Sequence, residues 1–165
     1  MIMMTIAQIM EKMIAFSEGN IHDITHLSCV WTYAKTIGEL EGLDAEPQFI
    51  LEVAAITHDI ACPLCRKKYG NTNGSYQEQE GDPLVREFLA DTGMTAAQID
   101  RVAYLVGHHH SPEQIDGIDY QILIEADYIV NASEGGYSQQ AIRSFMEHTM
   151  KTAAGIRLTK TVFGL

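Results

Sequence analysis

The segment AAITHDIA, residues 54–61, places His58 and Asp59 side by side near the end of an apolar run. Burying two adjacent ionisable side chains without partners is costly, so this pattern indicates that they share a partner in the folded protein. A divalent metal ion is one partner that would satisfy an imidazole and a carboxylate together. The remaining ligands of such an ion would then have to come from elsewhere in the chain.

The apolar residues recur at intervals of three and four along most of the chain, which is the spacing of an amphipathic helix. Strand signals are weak throughout. We therefore predict an all-α fold, a single domain over residues 1–165 with about six to seven helices. Helices are predicted over these approximate ranges: 5–16, 23–41, 47–60, 82–93, 95–110, 120–133 and 139–153.

Two segments do not follow the helical pattern clearly. Residues 62–75 contain Pro, Gly, Asn and Ser and are predicted to form a long loop, a kind of segment that is often functional. The tail, residues 155–165, is compatible with an extended arm or with a segment packed against a neighbour.

The composition excludes some classes of function. Of the 165 residues, 46% are hydrophobic, which is enough for a substantial core, and 22 acidic against 11 basic residues give a net charge of −11. A surface that binds nucleic acid needs a basic stripe to neutralise phosphates, so we expect no nucleic-acid partner. A small phosphorylated ligand remains compatible with this charge, because a metal ion and a few local bases would hold it.

The three cysteines, Cys29, Cys62 and Cys65, are odd in number and carry no disulfide-like pattern. We find no signal-peptide pattern and no apolar run long enough to span a membrane. We therefore expect a cytoplasmic protein with reduced thiols and no membrane partner.

Histidines and one further carboxylate suggest the rest of a metal site. His22 and His26 are four residues apart on one predicted helix, residues 108–110 are a triple histidine, and Asp127 lies within the apolar run 122–130. Each has a structural alternative: a hydrogen-bonded core histidine, a carboxylate paired with an arginine, or a solvated helix end whose dipole favours imidazolium. Taken together, imidazoles and carboxylates form a mixed site that suits Mn, Fe, Co, Ni or Zn.

The order of these residues resembles the HD-domain superfamily of metal-dependent phosphohydrolases. Ile21–Val30 is similar to the opening helix motif of that family, Ala54–Ile60 to its signature dyad, and Glu125–Asp127 to its last ligand motif. The resemblance extends over about residues 16–135. It implies that one divalent metal ion is bound by four side chains: His26, His58, Asp59 and Asp127.

The resemblance also implies an activity. The metal ion, a transition metal or Mg, would generate a hydroxide that attacks the phosphorus of a small phosphorylated molecule, with a nucleotide as one candidate. His58 and Asp59 would be the catalytic residues, Asp59 serving both as a ligand and to orient the water. The alternative is an HD-fold module that binds a metal ion and a phosphorylated ligand without turning it over.

Some relatives bind two metal ions through additional histidines. By position, His108 and His109 are the candidates for a second ion or for a phosphate contact, and His22 is a further candidate phosphate contact. Many relatives carry a His-Glu pair where this chain has residues 77–81, and Glu80 would correspond to the glutamate. The histidine of that pair is missing here, so we expect one metal ion.

A second departure follows the dyad, where many relatives have a lysine and this chain has Cys62. The chain's one basic run comes next, and Arg66, Lys67 and Lys68 are either ligands of a substrate phosphate or a solvated surface. Cys62 and Cys65 form a Cys-x-x-Cys pair without a second pair to complete a zinc site. We expect reduced thiols, with a regulatory disulfide as the alternative.

The chain termini are candidates for self-association. The apolar residues 1–4 at one end and residues 161–163 at the other would provide surface for a homodimer.

Overall fold

A computed structural model describes all 165 residues, and its regular structure is entirely helical, which confirms the all-α prediction. The number of helices is larger than predicted, because two segments expected to be irregular are helical. A short 3₁₀ helix at Pro112–Gln114 follows the sixth α-helix. The nine α-helices are α1 Ile6–Phe16, α2 Ile21–Leu40, α3 Ala45–Thr57, α4 Cys62–Tyr69, α5 Gly74–Leu89, α6 Ala96–His108, α7 Ile118–Gly135, α8 Gln139–His148 and α9 Ala153–Phe163.

The first additional helix is α4, and the predicted loop over residues 62–75 was wrong for its first half. Pro63 lies in the first turn of α4, where its missing N–H would have no intrahelical partner in any case. Gly70 ends the helix with φ of +74°, a left-handed conformation that favours glycine. Pro63 therefore starts α4 after α3 has already ended at Thr57, whereas the sequence pattern predicted only that it limits a helix.

The boundaries of α5 also differ from the prediction. The helix begins at Gly74, eight residues before the predicted start at Asp82, and Pro83 lies inside it. Pro83 has no N–H for the carbonyl one turn earlier, so packing must compensate for the lost bond. Since α5 packs extensively against α6, tertiary contacts account for a helix that local propensity disfavours.

The C-terminal segment forms two helices rather than one helix and an arm. Thr152 caps α9 by accepting a hydrogen bond from the Gly155 N–H, which allows a new helix to begin after α8 ends. The tail is thus helical to Phe163.

The core consists of one cluster of 29 buried apolar residues. Helix α3 is central, packs against α1, α2, α6 and α7, and buries every residue from Leu51 to Thr57. The segment Ala45–Tyr69 is long and apolar enough to cross a membrane, but 72% of its most apolar window is buried inside the fold. Burial of this kind is typical of the core helix of a soluble protein, so the segment is only weak support for a membrane span.

Candidate metal centre

Side chains from α2, α7 and the turn after α3 converge at one end of the core. The Nε2 atom of His26 lies 3.1 Å from Nε2 of His58, 3.2 Å from a carboxylate oxygen of Asp59 and 3.2 Å from Oδ1 of Asp127. His58 Nε2 lies 3.4 and 3.3 Å from the same two carboxylate oxygens. Ligands about 2.1 Å from one ion, at tetrahedral or octahedral angles, are separated by roughly 3.0–3.4 Å. The observed spacing therefore fits a single ion bound among the four side chains.

Backbone and carboxylate acceptors determine which nitrogen of each imidazole faces this cluster. His58 Nδ1 lies 2.7 Å from the Ala55 carbonyl oxygen, and a carbonyl can only accept, so Nδ1 carries the proton. His26 Nδ1 lies 3.1 Å from both carboxylate oxygens of Glu134 and is oriented in the same way. Both rings therefore direct Nε2 into the cluster, where a bound ion would replace any proton on that nitrogen.

Two buried polar atoms at the cluster make no hydrogen bond of acceptable geometry, although each has a side-chain neighbour 3.2–3.3 Å away. They are Oδ1 of Asp127 and Nε2 of His109, which belong to residues that are almost fully buried. Leaving a buried polar group unsatisfied costs about 1–3 kcal/mol, so these two atoms indicate a binding partner from outside the chain. Together with the ligand spacing and the ring orientations, they show that the residues present fit a divalent metal ion.

The ionisable groups of the cluster shift one another's pKa. Burial alone lowers the pKa of His26, but the carboxylates of Asp127 and Asp59 beside its ring outweigh it and raise the pKa to about 10. Burial raises the carboxyl pKa of Asp59 and Asp127, yet the charge of His58 and hydrogen bonds to neighbouring histidines lower both below their usual range. The cluster as a whole thus favours bound positive charge.

A second group of nitrogen and oxygen atoms shares Asp59 with the first. Asp59 Oδ1 lies 3.3 Å from Nε2 of His109, and His110 is close enough to complete a three-residue group. The Val106 carbonyl lies 2.8 Å from Nδ1 of His109, which leaves the Nε2 of this ring facing Asp59. Asp59 therefore has one carboxylate oxygen on each group, an arrangement that is compatible with a second ion.

The structure does not bring His108 into either group. Its Nδ1 lies 2.8 Å from the Tyr104 carbonyl oxygen and its ring stacks on Tyr104, one turn earlier on α6. The third histidine, His110, takes the place that the sequence analysis gave to His108. A helix rotates about 100° per residue, so three consecutive histidines cannot all face one site.

A cleft of about 200 Å³ opens over the cluster. Arg66 lines it and forms an ion pair with Asp23. Cys62 lies one turn before Arg66 on α4 and also lines the cleft, so both residues face the same side of the helix. His22 lies at the rim, mostly exposed, with Nε2 3.9 Å from Glu134.

The other predicted phosphate ligands lie outside the cleft. Lys68 pairs with Glu80, whose Oε1 also accepts a 2.5 Å hydrogen bond from the Tyr69 hydroxyl. Lys67 is exposed. Of the basic run and Glu80, only Arg66 is therefore positioned to reach a ligand in the cleft.

Further residues that the sequence analysis did not identify as site residues also line the cleft, among them Gln77, Asn131 and Glu134. Gln77 is 6% exposed and donates through Nε2 to the Thr72 carbonyl, which leaves Oε1 facing away without a partner. The sequence offered one signal for Gln77, because it lies in the segment where many relatives carry a histidine. Nothing in the local sequence distinguishes Glu134 from an ordinary surface glutamate.

Comparison with known proteins is consistent with this geometry. The family model described as HD domain matches residues 23–134. A crystal structure of a predicted HD superfamily hydrolase from an uncultured Thermotogales bacterium superposes with a TM-score of 0.69 and 19% identity, over 96% of this chain and 84% of that one. No curated protein sequence gives a significant match. Because the family model covers more than half of the chain and includes every side chain of the four-residue cluster, the chain belongs to the HD-domain superfamily of metal-dependent phosphohydrolases.

Proposed function

We propose that the protein is a metal-dependent phosphohydrolase that acts on a small phosphorylated molecule. The observation that carries this proposal is the buried cluster of His26, His58, Asp59 and Asp127, with an unpartnered carboxylate oxygen, at the base of an open cleft. His58 and Asp59 remain the proposed catalytic pair. A divalent ion held by the four side chains would polarise a phosphoryl oxygen and lower the pKa of water.

The protein's own groups would bind and orient the reactants. Arg66 would exchange its ion pair with Asp23 for the substrate phosphate, since a guanidinium binds phosphate through two parallel hydrogen bonds. Asp59 lines the cleft, and its Oδ1 lies 3.3 Å from Nε2 of the buried His109. A water molecule that donates to Asp59 Oδ1 would be oriented for attack on phosphorus, and that carboxylate would take up its proton.

Metal content and turnover of two ligand variants test the proposal. We expect His58→Ala and Asp127→Asn to lose the ion and the phosphatase activity. The metal content is measured by elemental analysis, and the activity is assayed with Mn, Fe, Co, Ni and Mg supplied separately. His148→Ala is the matched control, because His148 is exposed and bonds only within α8. Asp127→Asn keeps the shape of the side chain, so its loss of metal would not reflect misfolding. Full occupancy and full activity in both ligand variants would refute the assignment.

The alternative is an HD-fold module that holds a metal ion and a phosphorylated ligand without hydrolysing it. Cys62 at the position where many relatives have lysine, and the partnerless Gln77 amide oxygen in the segment of the missing histidine, favour this alternative. Tight binding of a phosphorylated ligand with no turnover under any of the five metals would support it.

We also propose a cellular location and an assembly for the protein. The three cysteines are free thiols, which supports a cytoplasmic protein. Met1 and Ile2 are almost fully exposed, which supports a homodimer that covers them. Val162, near the other end of the chain, is 42% exposed.

A further inference from the structure

A second, smaller cleft of about 170 Å³ adjoins the metal cleft. The two share three residues, His110, Asp127 and Asn131, so a ligand bound over the metal cluster could extend directly into the smaller cleft. We refer to the smaller cleft as the side cleft. Unlike the metal cleft, it has apolar side chains across much of its wall.

The far wall of the side cleft is a pair of stacked aromatic rings. Tyr128 on α7 and Phe145 on α8 are parallel to within 1°, with ring centroids 3.5 Å apart. The Tyr128 hydroxyl donates to the Ala141 carbonyl at 3.3 Å, and Tyr137 packs edge-on against Tyr128. These contacts hold the pair in place, and Ile124, one turn before Tyr128, adds a further apolar surface. The stack is therefore preformed and apolar, and its ring edges and outer faces are surfaces against which a planar ring packs.

The size and polarity of the side cleft limit what it can accept. An apolar cavity of about 150 Å³ is enough for a benzene ring, so the side cleft has room for about one six-membered ring. Asn131 stands at its junction with the metal cleft, where its amide can bond to an ester oxygen or a ring heteroatom. The side cleft thus combines a flat apolar end with a polar neck.

The aromatic wall depends on a part of the chain outside the family match. The HD match ends at residue 134, whereas α8, which supplies Phe145, begins at Gln139. The matched region contains the metal cluster, and α8 adds a surface from outside that region. Surfaces added around a common catalytic core are where substrate selectivity usually arises.

We propose that the side cleft binds a single planar ring in the leaving group of the substrate, so that the preferred substrate is a phosphomonoester of an aromatic or heteroaromatic compound. This inference rests on the proposed function for the position of the phosphate over the metal cluster. Phe145 is then a specificity-determining residue rather than a catalytic one, because it contacts the ring and not the phosphorus.

Hydrolysis of two simple esters by the Mn-loaded protein tests the inference. Phenyl phosphate carries a ring and ethyl phosphate does not, and the measured quantity is the ratio of their kcat/KM values. We expect Phe145→Ala to lower this ratio on the order of tenfold, the range that stacking on an aromatic side chain contributes. Met146→Ala is the matched control, because Met146 is on the same helix, is also half-buried and faces Ile156 and Lys160 instead. An unchanged ratio in Phe145→Ala would overturn the inference.

Binding of phosphonates, which are not hydrolysed, separates this inference from the proposed activity. By calorimetry on the Mn-loaded protein, we expect phenylphosphonate to bind on the order of tenfold more tightly than methylphosphonate, and Phe145→Leu to remove the preference. Leucine keeps an apolar side chain of similar size, so a folding defect would not account for that loss. A binding preference without turnover would refute the proposed activity and leave the side cleft supported. Equal binding of the two phosphonates, or binding of neither, would overturn the side cleft as a ring site.

Discussion

The most informative single substitution is Glu134→Gln, because Glu134 is proposed to act on the metal only through His26. Both of its carboxylate oxygens lie 3.1 Å from His26 Nδ1. Glu134 is seven residues after Asp127, two turns later on the same face of α7, so one helix supplies both a proposed ligand and the partner of another. Glutamine keeps the length and an acceptor oxygen but removes the charge that makes the His26 imidazole a stronger donor to the metal.

The expected magnitude follows from the environment of Glu134. Removing the partner of a metal-bound histidine generally costs about 10- to 100-fold in metal affinity, or roughly 1.4–2.7 kcal/mol. The Glu134 side chain is 33% exposed, so solvent screens part of its charge and the lower end of that range applies. We therefore expect about a tenfold increase in the Kd for Mn²⁺.

The assay is a competition titration of Mn²⁺ against a chelator of known affinity. Glu147→Gln is the matched control, since it removes the same charge from an exposed position on α8. A Kd for the Glu134→Gln protein within twofold of the wild-type value, or an equal change in the control, would refute the role assigned to Glu134. Metal stoichiometry should stay unchanged, because none of the four proposed ligands is altered.

Two further predictions concern buried groups next to the proposed site. Glu125 is fully buried and accepts hydrogen bonds from Gln121, Thr152 and the Lys151 N–H, so Glu125→Gln should destabilise the fold by about 3 kcal/mol in urea denaturation while metal affinity is retained. A loss of metal without a loss of stability would contradict this structural role. Burial raises the thiol pKa of Cys62 and Cys65, and since only the thiolate is nucleophilic, iodoacetamide at pH 8 should label both more slowly than the half-buried Cys29. Mass mapping that finds Cys62 or Cys65 labelled first would show that the helix opens readily in solution.

The fold class was accessible from the sequence because helical periodicity is a local property. The all-α prediction needed only the spacing of apolar residues along each segment. Helix boundaries were less accessible, as α5 shows: the helix packs extensively on α6, a contact that local sequence does not encode. The start of α4 was missed for a different reason, because Pro63 is compatible with ending one helix and with beginning another.

The proposed ligands also differ in how far the sequence alone revealed them. His58 and Asp59 stood out in the sequence because two adjacent ionisable residues in an apolar run need a partner, and the resemblance to HD domains added His26 and Asp127. Which atoms of these side chains meet was decided only by the packing of α2, α3 and α7. The carbonyl of Ala55 and the carboxylate of Glu134 then determine which ring nitrogen of each histidine faces inward.

The sequence by itself determined that this chain is helical, that it has a core, and that a histidine and an aspartate lie together at the end of its most apolar helix. The tertiary structure alone decided that His109 and His110 face Asp59 while His108 does not, because rotation at the end of α6 sets the direction of each ring. It also decided that Glu134 supports His26 across 108 residues of chain. Side chains that far apart meet only where two helices pack, and the local pattern of neither helix specifies that contact.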